Sequence, residues 1–189
     1  MDSGIIVLSI VGLILLALVI ILVVIYNGFV RMLNNIEKSW ANIDVLLKQR
    51  SSELPNLIAA VKGYMTYEKE TLTSLTKLRS LLDAAETLSQ KAAADAAISG
   101  LLKTVFAVAE QYPDLKAGEQ FLALQHRISG LENELADRRE FYNDSVTIYN
   151  TRRQSIPDIL MAKLMHLEKK ELFKASVQDS QYIEVRLGK

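Results

Sequence analysis

Along the first quarter of the chain the spacing of apolar residues changes character without a break. From Ile5 to Ile25 nearly every one of 21 residues is aliphatic. Beyond Tyr26 the apolar positions thin out to Phe29, Leu33, Ile36, Trp40, Ile43, Leu47 and Leu54, with Arg50 in the one slot left over. The steps alternate between four and three, the rhythm that keeps one stripe of a helix against a partner helix. No proline separates the two regimes. The pattern predicts a helix that leaves an apolar layer and enters water as one member of a helical bundle.

A helix from Ile5 to Ile25 would be about 31 Å long, close to a hydrocarbon core of about 30 Å. An uncleaved single-pass anchor is expected rather than a signal peptide. The run is preceded by no Lys or Arg, is longer than an ordinary signal h-region and is followed by no Ala-x-Ala site. Ser9 and Gly12 lack the spacing of a dimerising Gly-x-x-x-Gly span. Arg31 and Lys38 follow the run closely, and the positive-inside rule then places residues 26–189 in the cytoplasm.

The remainder reads as helices. Ser51-Ser52-Glu53-Leu54-Pro55 either caps a new helix or kinks one long one, and the stripe, continuing in phase through Leu57 and Val61, favours the kink. Periodicity then runs on through Met65, Leu72, Leu75 and Leu82 to about Leu88. The Ala-rich stretch from Lys91 to Ala97 leads into a shorter helix bearing Ile98, Leu102, Val105 and Ala109, closed by Tyr112-Pro113-Asp114. The longest uninterrupted helix is expected from Gly118 to Ser155, and a last amphipathic one from Asp158, after Pro157, to about Lys174. The tail, 176–189, is weakly patterned, and is expected to be mobile or to dock on a partner. Only 8 Gly and 3 Pro punctuate the chain. The expectation is an all-α protein: an anchor over 1–25, then an up-and-down, four-helix-type bundle over 26–175, then the tail.

Composition mostly excludes. With no Cys there is no disulfide, thiolate metal site or thiol nucleophile, and equal numbers of basic and acidic residues, 22 of each, give no nucleic-acid footprint. The two histidines, His126 and His166, have no Glu three or four positions before them, so neither a di-iron bundle site nor His-Glu-x-x-His can be built. Glycines are isolated, and nothing resembles a phosphate loop or Gly-x-Ser-x-Gly. No enzyme, cofactor or metal is therefore expected.

Polar residues on apolar stripes carry more information. Arg50 sits between Leu47 and Leu54, Glu68 between Met65 and Leu72, and Arg79 between Leu75 and Leu82, while Glu132 and Arg139 flank the stripe of the long helix. Each must be paired or reach water, since a lone buried charge costs several kcal/mol. They read either as a functional polar pocket or as ion pairs that fix helix register, with Glu68 or Glu132 as partners for the arginines; the second reading is preferred. Tyr142-Asn143 and Tyr149-Asn150, seven residues apart, place both Tyr on one face and both Asn beside it, and Tyr26-Asn27 repeats the pair near the span. Such groups need partners once buried.

Several of these stretches together resemble the LemA family. They are Tyr26-Asn27, the run SWANIDVLLKQRSSELPNLIAAVKGY from Ser39 with YEKETL after it, AEQYPDLKA from Ala109, Leu131-Glu132, RREFYNDSVTIYN from Arg138, and IPDIL at the break. The resemblance covers about residues 1 to 175 and implies a single N-terminal span followed by an up-and-down helical bundle. It supplies no catalytic residue. Family ties to membrane remodelling in magnetosome formation imply a scaffold at the inner surface of a bacterial cell membrane, with the lipid bilayer and a membrane protein as partners. The alternative is a sensor or adaptor that binds a ligand or regulates a membrane protein such as a protease. Finally, the stripe Phe29, Leu33, Ile36 and Trp40 lies nearest the bilayer and needs cover. Within one chain only the long helix or the segment after Pro157 can reach it; neighbouring copies, held parallel by their spans, are expected to supply the cover as a homo-oligomer.

Overall fold

The computed structural model describes residues 3–65, 68–175 and 177–187; Tyr67 of the YEKETL stretch, and Ser176, Gly188 and Lys189 of the tail, lie outside them. The described residues form helices only: α1 (Ser3–Lys62), α2 (Lys69–Asp83), α3 (Leu88–Ala109), α4 (Pro113–Lys116), α5 (Glu119–Gln154), α6 (Asp158–Leu164) and α7 (Val177–Leu187). The fold is all-α, with a long apolar helix at its N-terminal end. Packing divides it into two compact units, one of Met1–Lys38 with Asp144–Glu171, the other of Ser39–Asn143 with Leu172–Lys189.

α1 is a single 60-residue helix, longer than α5, and it passes through Pro55 without a reversal. Proline removes the hydrogen bond to the Ser51 carbonyl, a loss of about 3 kcal/mol in an isolated helix. Leu54, Leu57 and Val61, all fully buried, offset it. The helix ends at Lys62, and the Tyr64 and Met65 amides both donate to the Val61 carbonyl. The periodicity that predicts helix through to Leu88 is thus interrupted around Gly63, and again between Asp83 and Leu88. At the second break Thr87 caps α3: its hydroxyl accepts from the Gln90 amide at 3.2 Å, and the Gln90 side chain accepts from the Thr87 amide at 3.3 Å.

In the larger unit the chain runs up and down. Ser51 of α1 donates to Asp83 at the end of α2, Asp44 and Arg50 of α1 meet Lys91 and Asp95 of α3, and Arg50 and Glu53 meet Glu132 and Arg127 of α5. Read in order, these pairs make α2 and α5 antiparallel to α1, and α3 parallel to it. Ile43, Leu57, Leu75, Leu78, Ile98, Leu102, Ile128 and Leu135 fill the interior with no exposed surface. The tail segment is helical from Val177 and packs on α2 and α3, with Ile183 buried.

In the smaller unit residues 3–24 of α1 are exposed throughout, and cover begins at Ile25. The amphipathic helix expected to reach Lys174 stops at Leu164. His166 takes φ 50°, and the His166 and Leu167 amides donate back to the Lys163 and Ala162 carbonyls, a Schellman stop built without glycine. Histidine enters this left-handed region more readily than branched residues do.

Replacing Thr87 by Ala removes the hydroxyl that accepts from the Gln90 amide at the start of α3, and keeps the bond from the residue 87 amide to the Gln90 side chain. We expect a loss of about 1 kcal/mol, read by chemical denaturation of the chain in detergent, with the Gln90→Ala variant losing less. An unchanged midpoint would mean that the cap contributes nothing.

Candidate functional site

The seam slot between Leu47 and Leu54 places the Arg50 guanidinium in the centre of the larger unit, with no exposed surface. Its Nη1 donates to Asp95 Oδ1 at 2.6 Å and its Nη2 to Ser99 Oγ at 2.9 Å, both on α3. Glu132 of α5 lies 3.9 Å from Nη2. Asp95 is itself fully buried, and its second carboxylate oxygen pairs with Arg139 of α5. Two guanidinium groups and two carboxylates thus close a neutral set across three helices.

Burial is the larger influence on both arginines. It lowers the Arg50 pKa, against the opposing pull of Glu132. It brings Arg139 down to about 10, with the Arg50 charge adding in the same sense. At about 10, Arg139 stays protonated at neutral pH and keeps its charge beside Asp95.

The set continues into an aromatic stack. Arg139 lies over the Phe173 ring at 5.2 Å, and Phe173 stacks on Trp40 with centroids 6.1 Å apart. Tyr142 meets the Trp40 ring at 6.2 Å, and the Lys91 ammonium stands 5.3 Å above it. Lys91 also pairs with Asp44 at 2.5 Å. Hydrogen bonds from Lys48 first, and then Lys91, lower the Asp44 pKa.

The Tyr-Asn pairs of α5 hold the irregular segment after α6. Asn143 Oδ1 accepts from the Phe173 amide at 2.8 Å. In the smaller unit the Tyr149 hydroxyl donates to the Glu168 carbonyl at 2.8 Å, and Asn150 both donates to the Lys170 carbonyl and accepts from its amide, at 2.9 and 3.0 Å. There Tyr149 also meets Phe29 edge-on at 6.1 Å, and Arg152 lies over the same ring at 5.8 Å. Tyr26 is exposed.

Not every polar seam residue read from the sequence joins this site. Arg50, Glu132 and Arg139 come together. Glu68 does not: with α1 ended at Lys62 it lies just before α2, off any seam, where its carboxylate accepts from the Tyr112 hydroxyl at 3.2 Å. Arg79 does not either, because Leu75, Leu78 and Leu82 fill the buried face of α2 and leave Arg79 on its flank, 3.8 Å from Asp83. The principal partner of Arg50 is Asp95, where Glu68 or Glu132 was expected. The one available signal was a single carboxylate inside the alanine run of α3.

The stripe near the span is covered from within the chain. Phe29 and Ile36 are buried, Leu33 and Trp40 are half-buried, and both candidate covers, the long helix and the segment after Pro157, contribute. Cover for Phe29 and Trp40 thus comes from the two segments of the chain itself, where neighbouring copies were expected to supply it.

This geometry is carried by the stretches that suggested a family. The LemA family model matches residues 39–187. Protein LemA of Metamycoplasma hominis is 30% identical over 155 residues, which is 79% of this chain and 69% of that one. This chain belongs to the LemA family. It is also similar to the magnetosome protein MamQ of Magnetospirillum gryphiswaldense, 21% identical over 185 residues, or 84% of this chain and 68% of that protein. The charged set and the aromatic stack of the larger unit lie inside the family match.

Two predictions follow from the charges. Asp95→Asn leaves two guanidinium groups facing only the partly exposed Glu132, and should cost about 3–5 kcal/mol, as breaking a buried pair does. Arg139→Gln leaves the Arg50–Asp95 bond intact and should cost clearly less. Denaturant unfolding of both variants checks the order; equal losses would mean that the set does not work as drawn.

At Asp44 the folded pKa lies below the unfolded value of 3.8, so its contribution is present above that pH and disappears as pH falls through the folded value. Asp44→Asn should therefore flatten the acid limb of the stability curve below about pH 4 and leave its neutral-to-basic shape unchanged. A parallel shift at all pH values would show that Asp44 acts without titrating.

Proposed function

We propose that this chain is a non-enzymatic scaffold or interaction protein, anchored by residues 3–24 in a bacterial inner membrane with its bundle on the cytoplasmic side. The observation that carries the reading is the unbroken helix α1. Its first 22 residues are apolar and uncovered, and no loop intervenes before its buried seam. Arg31 and Lys38 follow the apolar segment, on the side that the positive-inside rule assigns to the cytoplasm. The similarity to a protein named for the magnetosome supports a role in membrane organisation. An adaptor that takes a ligand at Arg50 has less support, because Asp95 and Ser99 already occupy that guanidinium.

A photo-crosslinking residue placed at Phe141 or Ile148, both exposed apolar positions on α5, should give discrete protein adducts in intact membranes, either with a membrane protein or with a second copy. Adducts with lipid alone would sink the scaffold reading. In the same cells a C-terminal tag should survive protease added to spheroplasts; its digestion would reverse the orientation.

A further inference from the structure

We infer that the turn after α5 and the short helix α6 form a second membrane contact, seated on anionic lipid headgroups beside the span; this rests on the reading of residues 3–24 as membrane-embedded. The helix has two faces. Asp158, Met161 and Ala162 are buried, while Leu160 and Leu164, four residues apart and so on one side, are 68% and 73% exposed. Ile156, in the turn before them, is 89% exposed. Three large aliphatic side chains so uncovered on one small element need an apolar neighbour.

Position selects the neighbour. Residues 3–24 of α1 are all exposed, and protein cover begins at Ile25, where the apolar run ends. Arg152 crosses α1 at Gly28, where an added Cβ would come within 3.2 Å of its Nη1, and Tyr149 meets the next residue, Phe29. α5 therefore runs antiparallel to α1 here, and the chain leaving Arg152 heads towards the span. α5 ends two residues after Arg152, at Gln154, so the turn that carries Ile156 starts on the span's side of Gly28. Lipid is the apolar phase on that side of Gly28.

Charge agrees with lipid as the occupant. Beside α6, Arg153, Lys163 and His166 line a groove of about 540 Å³ with Glu168. Asp158 is withdrawn from the surface by its 2.5 Å pair with Arg152. Exposed leucines flanked by basic side chains are what an interfacial helix presents to anionic headgroups.

The chain has no cysteine, so single labels can be placed in the full-length protein. Leu160→Cys, Leu164→Cys, Ile148→Cys and Ile14→Cys would each carry a bimane fluorophore in nanodiscs of phosphatidylglycerol and phosphatidylcholine containing shallow or deep doxyl lipid. The proposal expects strong quenching at 160 and 164 by the shallow quencher, weak quenching at 148, and quenching at 14 by the deep one. It also expects the signal at 160 to fall when phosphatidylglycerol is omitted. Quenching at 14 with none at 160 or 164 would overturn the second contact while leaving the span in place. Shielding of 160 and 164 from both lipid quenchers and aqueous iodide would overturn it in favour of cover by a second copy. No quenching at 14 would bring down the anchor reading and this proposal with it.

Discussion

Stripping water from a guanidinium costs more than any one contact returns, so a buried arginine dictates what surrounds it. At Arg50 the demand reaches three helices. Asp95 and Ser99 must come from α3, and because Asp95 is equally buried its second oxygen must be met as well, which draws in Arg139 from α5. A leucine in the Arg50 slot would satisfy the stripe in more than one register. The ion set is satisfied in only one, since a shift of one turn along α3 would set Arg50 against Lys91 or Ala92 in one direction and Ile98 or Ser99 in the other, none of them a carboxylate.

The same demand passes outwards through the aromatic residues. Arg139 pairs with Asp95 through Nη2 and also lies over Phe173, so the ring is fixed by a cation as well as by Trp40. Phe173 belongs to a segment with no secondary structure of its own, whose amides and carbonyls need partners all the same. Asn143 supplies one from α5, and Tyr149 and Asn150 supply others about two turns further on. Helical spacing on α5 thus becomes a template for an extended strip of chain, and Tyr and Asn are suited to it because each combines a stiff body with a hydrogen-bonding end.

These two arrangements explain what could be read in advance. The stripe of α1, the unbroken passage through Pro55 and the anomaly at Arg50 were legible because each concerns one helix and its period. Asp95 was not, since a lone carboxylate in an alanine run reads as a solvated face until the partner helix is known. Glu68 and Arg79 were misplaced for a related reason. A heptad-like count continues smoothly across Gly63, although the backbone turns there and the phase starts afresh in α2. The segment from Leu167 to Ala175 carries enough apolar residues to imitate a helix, and its hydrogen bonds go instead to α5, which no local pattern records. His166 hid the end of α6 because the stop signal is usually sought in glycine.

One missing side chain sets the orientation of α6. Gly28 lets the Arg152 guanidinium lie directly on α1, over the Phe29 ring. A methyl group there would push that guanidinium outwards by a few tenths of an ångström, and anything larger would displace it. Arg152 in turn holds Asp158 at the first turn of α6, which fixes the side of that helix turned inwards. With Asp158, Met161 and Ala162 committed to the interior, Leu160 and Leu164 have no choice but to face out. The exposed apolar face is therefore a consequence of an ion pair and a glycine just after the apolar run of α1, rather than a stretch of surface left unpacked by accident.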